Sequence, residues 1–296
     1  MSLPICNLCS SSVDPDAQLA WRKDGFDVLR CPGCGLVFRA HPPDPSELRD
    51  IYAIDYFRDS VNGANLHGYS DYLRDETQHR ANARRRLRLL ERHAKRSGRL
   101  LDVGCAAGFF LDEARLRGWE AEGVDVSPEM AAWGRAHLGA RVAEGTLVDA
   151  PRPPGGFDTI TMWDYIEHAV DPAADLGRSR ELLRSGGILA LSTGDIGSVV
   201  ARLSGRRWHL LTPRHHNFFF SRKTLAYLLR RSGFEVLQMS APAALYSLHH
   251  VVFKLEALLG VPWLRRSAAR IAASRFGRAA VPLNLFDIVT VVARKS

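Results

Sequence analysis

From about residue 77 onward, short and nearly continuous apolar runs alternate with amphipathic stretches of helical period. Thr77 to Arg96 sets Ala83, Leu87, Leu90 and Ala94 on one face and Arg80, Arg84, Arg88 and Arg92 on the other, predicting a surface helix that stops at Ser97-Gly98. Leu100 to Val103 predicts a buried parallel strand, followed by a tight turn and a helix from about Phe109. Trp119 to Val126, Arg141 to Ala143, Phe157 to Trp163, Ile188 to Ser192, Glu235 to Met239 and Asp287 to Ala293 read as further strands. Ser127-Pro128-Glu129 supplies an N-cap, a first-turn proline and a first-turn acid for a helix through about His137. Leu176 to Leu183 and Ser221 to about Arg231 read as two more helices. Strands alternating with helices predict an α/β fold.

The first 76 residues follow a different pattern. Cys6 and Cys9 form one C-x2-C pair and Cys31 and Cys34 another, with Pro32, Gly33 and Gly35 shaping the second turn and Phe26 to Arg30 a short strand feeding it. Two such knuckles present four thiolates at tetrahedral spacing, which in a reducing compartment favours structural zinc over disulfides. No fifth ligand or open position is indicated, so the metal would stay out of the chemistry. Residues 1–40 are therefore read as a zinc-ribbon module and 41–76 as a linker. In that linker Tyr52, Tyr56, Phe57, Tyr69 and Tyr72 interleave with Asn62, Gly63 and Gly68, as either a packed loop or a lid. Residues 77–296 form the main domain, interrupted by an insertion at 241–285. The insertion has an apolar face of Val251, Leu255, Leu258 and Leu259, then an arginine-rich helix from Trp263 to Arg278. It reads as docked against the core, as a homodimer contact, or as a surface for an anionic membrane or lipid-linked substrate.

The main domain is organised around Leu100 to Phe110. Asp102 is followed by Gly104 and Gly108, which bracket small residues, and a turn of this kind lets a ligand lie against bare backbone. No lysine follows, which argues against a P-loop, and Ala106 and Ala107 break the G-x-G-x-x-G spacing of dinucleotide sites. Asp125 closes the second strand about twenty residues on, placed to accept hydrogen bonds from both ribose hydroxyls of an adenosine. On these residues the chain resembles the class I S-adenosylmethionine (SAM) dependent methyltransferases. The resemblance implies SAM as cofactor and a Rossmann-like sheet of seven strands with the last antiparallel. It fits Asp102, Gly104, Gly108 and Asp125 to that family's cofactor positions, with Ala106 a small departure from the commoner middle glycine. It also places Thr146 and Leu147 against the adenine ring, and Trp163 at the cofactor edge. The ribbon and linker match a bacterial subgroup with a zinc ribbon before this domain.

The fourth strand ends in Trp163-Asp164-Tyr165-Ile166-Glu167-His168. This edge lacks the proline-rich motif with which related enzymes hold planar amines. Instead it resembles the Glu-His pair of ubiquinone-biosynthesis O-methyltransferases and of sugar or natural-product methyltransferases. His168 is thus a candidate base beside Asp164, or else a brace for the next helix. His215 and His216, next to Phe218, Phe219 and Phe220, read as a substrate wall with a polar edge and as alternative bases. No carboxylate lies near these two histidines in sequence, which argues against a second metal site.

Composition adds limits. Forty Lys and Arg against 32 Asp and Glu give a net charge of +8, and the positives are nearly all arginine, concentrated at Arg80 to Arg99 and Arg265 to Arg278. They are either solvated helix faces or the footprint of an anionic partner. No apolar segment follows a basic start and no long uncharged apolar run occurs, so the expectation is a cytoplasmic enzyme. The leading reading is methyl transfer to an oxygen or carbon of a small molecule such as a sugar, saccharide or natural-product precursor. The alternatives are an rRNA or tRNA methyltransferase using ribbon and basic surface, and a ribbon adaptor that only binds SAM or a partner.

Overall fold

A computed structural model describes residues 3–44, 47, 51, 72–94, 97–148, 153–252, 270–271, 274 and 276–296. The aromatic linker positions Tyr52, Tyr56, Phe57 and Tyr69, and most of the arginine-rich stretch of the insertion, lie outside the described residues.

The main sheet has seven strands: β4 (Arg99–Val103), β5 (Glu120–Asp125), β6 (Arg141–Glu144), β7 (Phe157–Trp163), β8 (Leu183–Gly194), β10 (Phe234–Ser240) and β13 (Ile288–Lys295), ordered β10-β13-β8-β7-β4-β5-β6. The pairs β4–β5, β5–β6, β4–β7 and β7–β8 are parallel, whereas β13 runs antiparallel to both β8 and β10. The expected seven-stranded Rossmann-like sheet with an antiparallel last strand is therefore present. Strand β8 is longer than its apolar run because Leu183 pairs with Phe157 before Ile188 takes up register with Thr159.

Helices cover the faces. Helix α2 (Glu76–Glu91) buries Gln78, Ala83, Leu87 and Leu90, and ends earlier than the predicted Arg96. Its arginine face is not simply solvated: Arg80 bonds Asp112 and Glu76 at 2.7 and 2.6 Å, and Arg84 bonds Glu113 at 2.8 Å. Asp112 and Glu113 lie in α3 (Phe109–Arg115), so the arginines fasten helix to helix, while the Arg80–Glu76 pair stays within α2. Helix α4 (Pro128–Leu138) starts as predicted, with the Ser127 side chain accepting from the Met130 amide. Helix α5 (Pro172–Leu182) begins four residues before the apolar stretch because Asp171 caps it and Pro172 opens it. Helix α6 (Arg222–Arg231) carries a capping box between Ser221 and Thr224.

The N-terminal region folds as a small sheet of β1 (Leu19–Lys23), β2 (Phe26–Arg30) and β3 (Val37–Arg39), preceded by the single turn α1 (Pro15–Gln18). Its fourth strand, β9 (Phe218–Phe219), comes from the main domain: Val37 pairs with Phe219 and Phe38 with Phe218. One buried cluster consequently runs from Cys6, Leu29 and Phe38 through Phe220 and Leu225 to Leu191 and Val291 of the main sheet. The three phenylalanines, at 5%, 3% and 0% exposure, belong to this joint. The substrate wall expected of them is not formed.

Candidate active site

The order of strands reverses between β4 and β7, and a crevice opens there beyond the carboxyl ends of the strands, where α/β sheets bind ligands. A cavity of about 690 Å³ occupies it, within the usual range for small-molecule sites. Of the expected cofactor residues Asp102, Gly104, Ala106, Asp125, Thr146, Leu147 and Trp163 all border it, while Gly108 stands behind as the N-cap of α3.

The turn after β4 is held in left-handed conformations, with φ of +72° at Gly104, +45° at Ala106 and +82° at Gly108. A Cβ at Gly104 would stand 2.8 Å from Tyr165 Cδ2, so only glycine fits. The Ala106 amide donates to Asp125 Oδ2 at 2.6 Å and the Ser127 amide to Oδ1 at 2.9 Å, fixing the carboxylate across the mouths of two strands. Burial pushes Asp125 up to about 6, against the two amides that favour its charge. Burial likewise pushes Asp102 up to about 7, although the Thr161 hydroxyl donates to it at 2.6 Å. Two buried carboxyls facing one cavity suit a ligand that brings hydroxyls and a positive charge.

At the end of β7, Asp164 adopts φ +54°. Arg86 and the Ser192 hydroxyl each donate to its carboxylate at 2.7 Å, and together they outweigh burial to hold it below the usual carboxylate range. The Arg86 guanidinium also lies 4.7 Å from the Trp163 ring centroid. Sequence reasoning missed Arg86, which lies between the two faces of its helix. His168 borders the cavity, with Nδ1 2.9 Å from the His215 carbonyl. Burial pulls its ring down to about 4, keeping it neutral near pH 7.

The histidines expected as alternative bases are elsewhere. His215 is buried at 4% exposure outside the cavity lining, and His216 meets the cavity only through His168, against which its ring stands edge-on at 4.6 Å. The amides of His215 and His216 both donate to the Thr212 carbonyl, at 2.9 and 2.8 Å, and neither residue lines the cavity. No carboxylate lies near His216 in sequence, yet the fold brings potential ligand atoms of Glu167, His168 and His216 within 4.8 Å of one another.

The far end of the cavity is roofed by β11 (Ala244–Ser247), paired with β12 (Ala280–Leu283), both from the insertion. Tyr246 and His250 stack there at 5.4 Å, and Arg85, which donates to the Ala243 carbonyl at 3.2 Å, lines the same part. Tyr72, the one described aromatic of the linker, stacks on His79 at 4.1 Å and on Phe109 at 5.6 Å, closing one side.

In the ribbon, Cys6 and Cys34 sulfurs are 3.5 Å apart and Cys9 and Cys31 sulfurs 3.4 Å apart, and all four lie within 4.8 Å of one another. These are free thiols, and their spacing is near the edge of about 3.8 Å that a tetrahedron of 2.3 Å zinc–sulfur bonds requires. Burial raises the Cys6 thiol and raises that of Cys34 to about 11, opposed by the amides of Leu8 and Cys9 at Cys6 and of Leu36 at Cys34, whereas at Cys9 the Ser11 hydroxyl and amide outweigh burial and bring the thiol down to about 6. The donor set fits zinc.

Comparison with known proteins agrees with this geometry. Residues 74–239, more than half of the chain, match the methyltransferase-domain family. The chain belongs to that family, and its fold is that of the class I SAM-dependent methyltransferases. It is 30% identical over 162 residues to a ubiquinone biosynthesis O-methyltransferase of Xanthomonas euvesicatoria, a match covering 48% of this chain and 64% of the relative. A protein of the same description from Thiobacillus denitrificans is 29% identical over 192 residues, covering 60% of this chain and 82% of the relative. Among solved structures, a SAM-dependent methyltransferase from Archaeoglobus fulgidus superposes with a TM-score of 0.51 at 18% identity, covering 76% of this chain and 99% of that one. Another from Thermotoga maritima gives 0.50 at 20% identity, covering 81% and 98%. Among the described residues no helix is long and apolar enough to cross a membrane.

Proposed function

We propose that this chain transfers the methyl group of SAM to a hydroxyl oxygen of a small molecule, with zinc held at Cys6, Cys9, Cys31 and Cys34 as a structural ion. The observation that carries the reading is Asp125, clamped by the Ala106 and Ser127 amides at the rim of a cavity that continues past the cofactor residues to Tyr246. Asp125 would accept from the ribose hydroxyls, Thr146 and Leu147 flank the adenine, and Asp102 faces the amine of the methionine part. The bound cofactor supplies an electrophilic methyl carbon.

The chain's remaining task is to hold an acceptor oxygen in line at about 3 Å and to let its proton leave, and positioning supplies much of the acceleration. Asp164, locked by Arg86 and Ser192, and neutral His168 are the polar groups at that edge. The O-methyltransferase relatives support oxygen as the acceptor, as does the lack of an amine-holding proline motif after Asp164. Incubation with methyl-labelled SAM tests this against the RNA alternative. Label should enter extractable hydroxylated small molecules, while label in acid-precipitable rRNA or tRNA would replace the small-molecule reading.

A further inference from the structure

A second, smaller hollow lies where the ribbon meets the main domain, and the methyl-transfer reading makes no use of it. Trp21 of β1 pairs with Val28 of β2, and Arg30 follows two residues on, so these side chains share one face of the ribbon's sheet. That face packs on the segment after β8, which forms a short helix at Val199–Ser204 and a single turn at Gly205–Arg207. Between them Trp21, Ile196, Ala201, Trp208 and Leu211 enclose about 240 Å³, with the exposed Arg30 and Arg202 at the rim. The Arg30 guanidinium stands 6.0 Å from the Trp21 ring centroid. Arg206 and Arg207 are exposed on the adjoining turn, and among the described residues none of these four arginines is paired with an acid. Asp27 and Asp195, on the elements that flank the hollow, are already engaged by Arg22 at 2.6 Å and Arg222 at 3.0 Å. Burial lowers the Lys23 amine, and the neighbouring Arg206 charge adds to that.

The geometry points to a nucleotide subsite: the hollow takes the base of a nucleoside diphosphate against Trp21, and Arg30 and Arg202 hold its phosphates. The volume is below the about 300–1,000 Å³ that encloses a whole small ligand, so it admits one ring and leaves the rest of the ligand outside. Indole faces and guanidinium planes are surfaces on which nucleobases stack. Arginine presents paired donors that match phosphate oxygens, and four arginines without acids make a field suited to two phosphates rather than to one carboxylate. Trp208 Nε1 is already given to Asp287 at 2.9 Å, so the floor holds the base by its faces and does little to choose among bases. Trp208 also packs on Gly194, the last residue of β8, two residues beyond the Ser192 that locks Asp164. A substituent on the outer phosphate therefore starts from the sheet edge where the acceptor is proposed to lie. That consequence rests on the proposed function, whereas the binding itself does not.

The experiment is titration of UDP into the full-length chain with excess S-adenosylhomocysteine present, read by calorimetry and by tryptophan emission. Wild type should bind UDP saturably with a change in emission, because two indoles line the hollow. Uridine and inorganic pyrophosphate, each lacking half of the ligand, should bind at least about fivefold more weakly. Arg30→Ala and Arg202→Ala should each weaken UDP at least about fivefold, as expected for a charge-assisted bond at an exposed arginine, and leave S-adenosylhomocysteine affinity within about twofold. Absence of saturable UDP binding by wild type overturns the subsite, as does unchanged UDP affinity in either variant. Pyrophosphate binding as tightly as UDP would reveal an anion patch without a base pocket, which contradicts the proposal. A uridine oligonucleotide binding about tenfold or more tighter than UDP, with a steep salt slope, would reveal a nucleic-acid surface and contradict it equally. Should a variant fail to fold, wild type decides: UDP binding that leaves tryptophan emission unchanged places the ligand elsewhere. S-adenosylhomocysteine calorimetry without UDP reads the methyltransferase assignment separately, so the two can fail independently.

Discussion

The side-chain amide of Asn217 donates to the His168 carbonyl at 2.9 Å, and also to that of Ala169 at 3.1 Å. Asn217 directly precedes β9, the strand that completes the ribbon's sheet, so one residue links the N-terminal ribbon to the cavity edge at His168. Asn217→Ala leaves two carbonyls without their donor. It should cost about 1–3 kcal/mol in denaturant unfolding, while SAM affinity, governed by the opposite side of the crevice, should change less than about threefold.

Loss of the ribbon metal should travel the same route. Cys31→Ser removes one of four thiolates, and β3, which follows that knuckle, pairs with Phe218–Phe219. The variant should lose its tightly held zinc, melt several degrees lower, and become sensitive to protease near residues 205–220. An unchanged melting midpoint would show that the ribbon is merely appended.

Acid should weaken cofactor binding in a predictable window. Asp102 and Asp125 are raised to about 7 and about 6 by burial, above the ordinary value near 4. The empty fold therefore holds more protons than the unfolded chain between about pH 4 and 7, and their contribution to its stability falls as pH rises through that window. A ligand bringing hydroxyls and an amine favours the ionised carboxylates, with charge-assisted hydrogen bonds roughly twice as strong as neutral ones. The midpoint shift produced by saturating S-adenosylhomocysteine should thus be larger at pH 8 than at pH 5.5. An equal or smaller shift at pH 8 would mean that neither carboxyl meets the ligand.

Ala106 carries a left-handed strain that its neighbour lacks. A non-glycine residue pays about 1–2 kcal/mol in this conformation, partly offset by the greater unfolded-state freedom of glycine. Ala106→Gly should raise the unfolding free energy by up to about 1 kcal/mol. Ala107→Gly, at a fully buried position without positive φ, should lower it. Matching signs for the two substitutions would refute the reading of the turn.

Much of the sheet was legible because each strand is an apolar run bounded by a turn or cap. Leu100 to Val103, Phe157 to Trp163 and the Ser127 cap of α4 fall where the pattern puts them. The Asp125 position was legible too, since strand length and the glycine turn fix the distance between the two strand ends. What was hidden depends on pairing between distant segments. Phe218 and Phe219 look like pocket residues until β3 is seen beside them, and Glu167 shows no relation to His216 in a linear reading. Arg86 lies on neither face of an amphipathic pattern, so periodicity passes over the residue that locks Asp164. The aromatic linker and most of the basic insertion stand outside the described residues, so their readings as lid and as membrane or dimer surface remain expectations.

The central claim is that Asp125 grips the adenosine of SAM while the turn from Gly104 to Gly108 lies under its methionine part. Isothermal titration of SAM into the full-length chain, with Asp125→Asn alongside, tests it most directly. The account predicts saturable one-to-one binding by wild type and affinity at least about tenfold weaker in the variant, as expected for lost charge-assisted hydrogen bonds of about 1.5–3 kcal/mol. Absence of binding by wild type, or equal affinities for the two proteins, would contradict it.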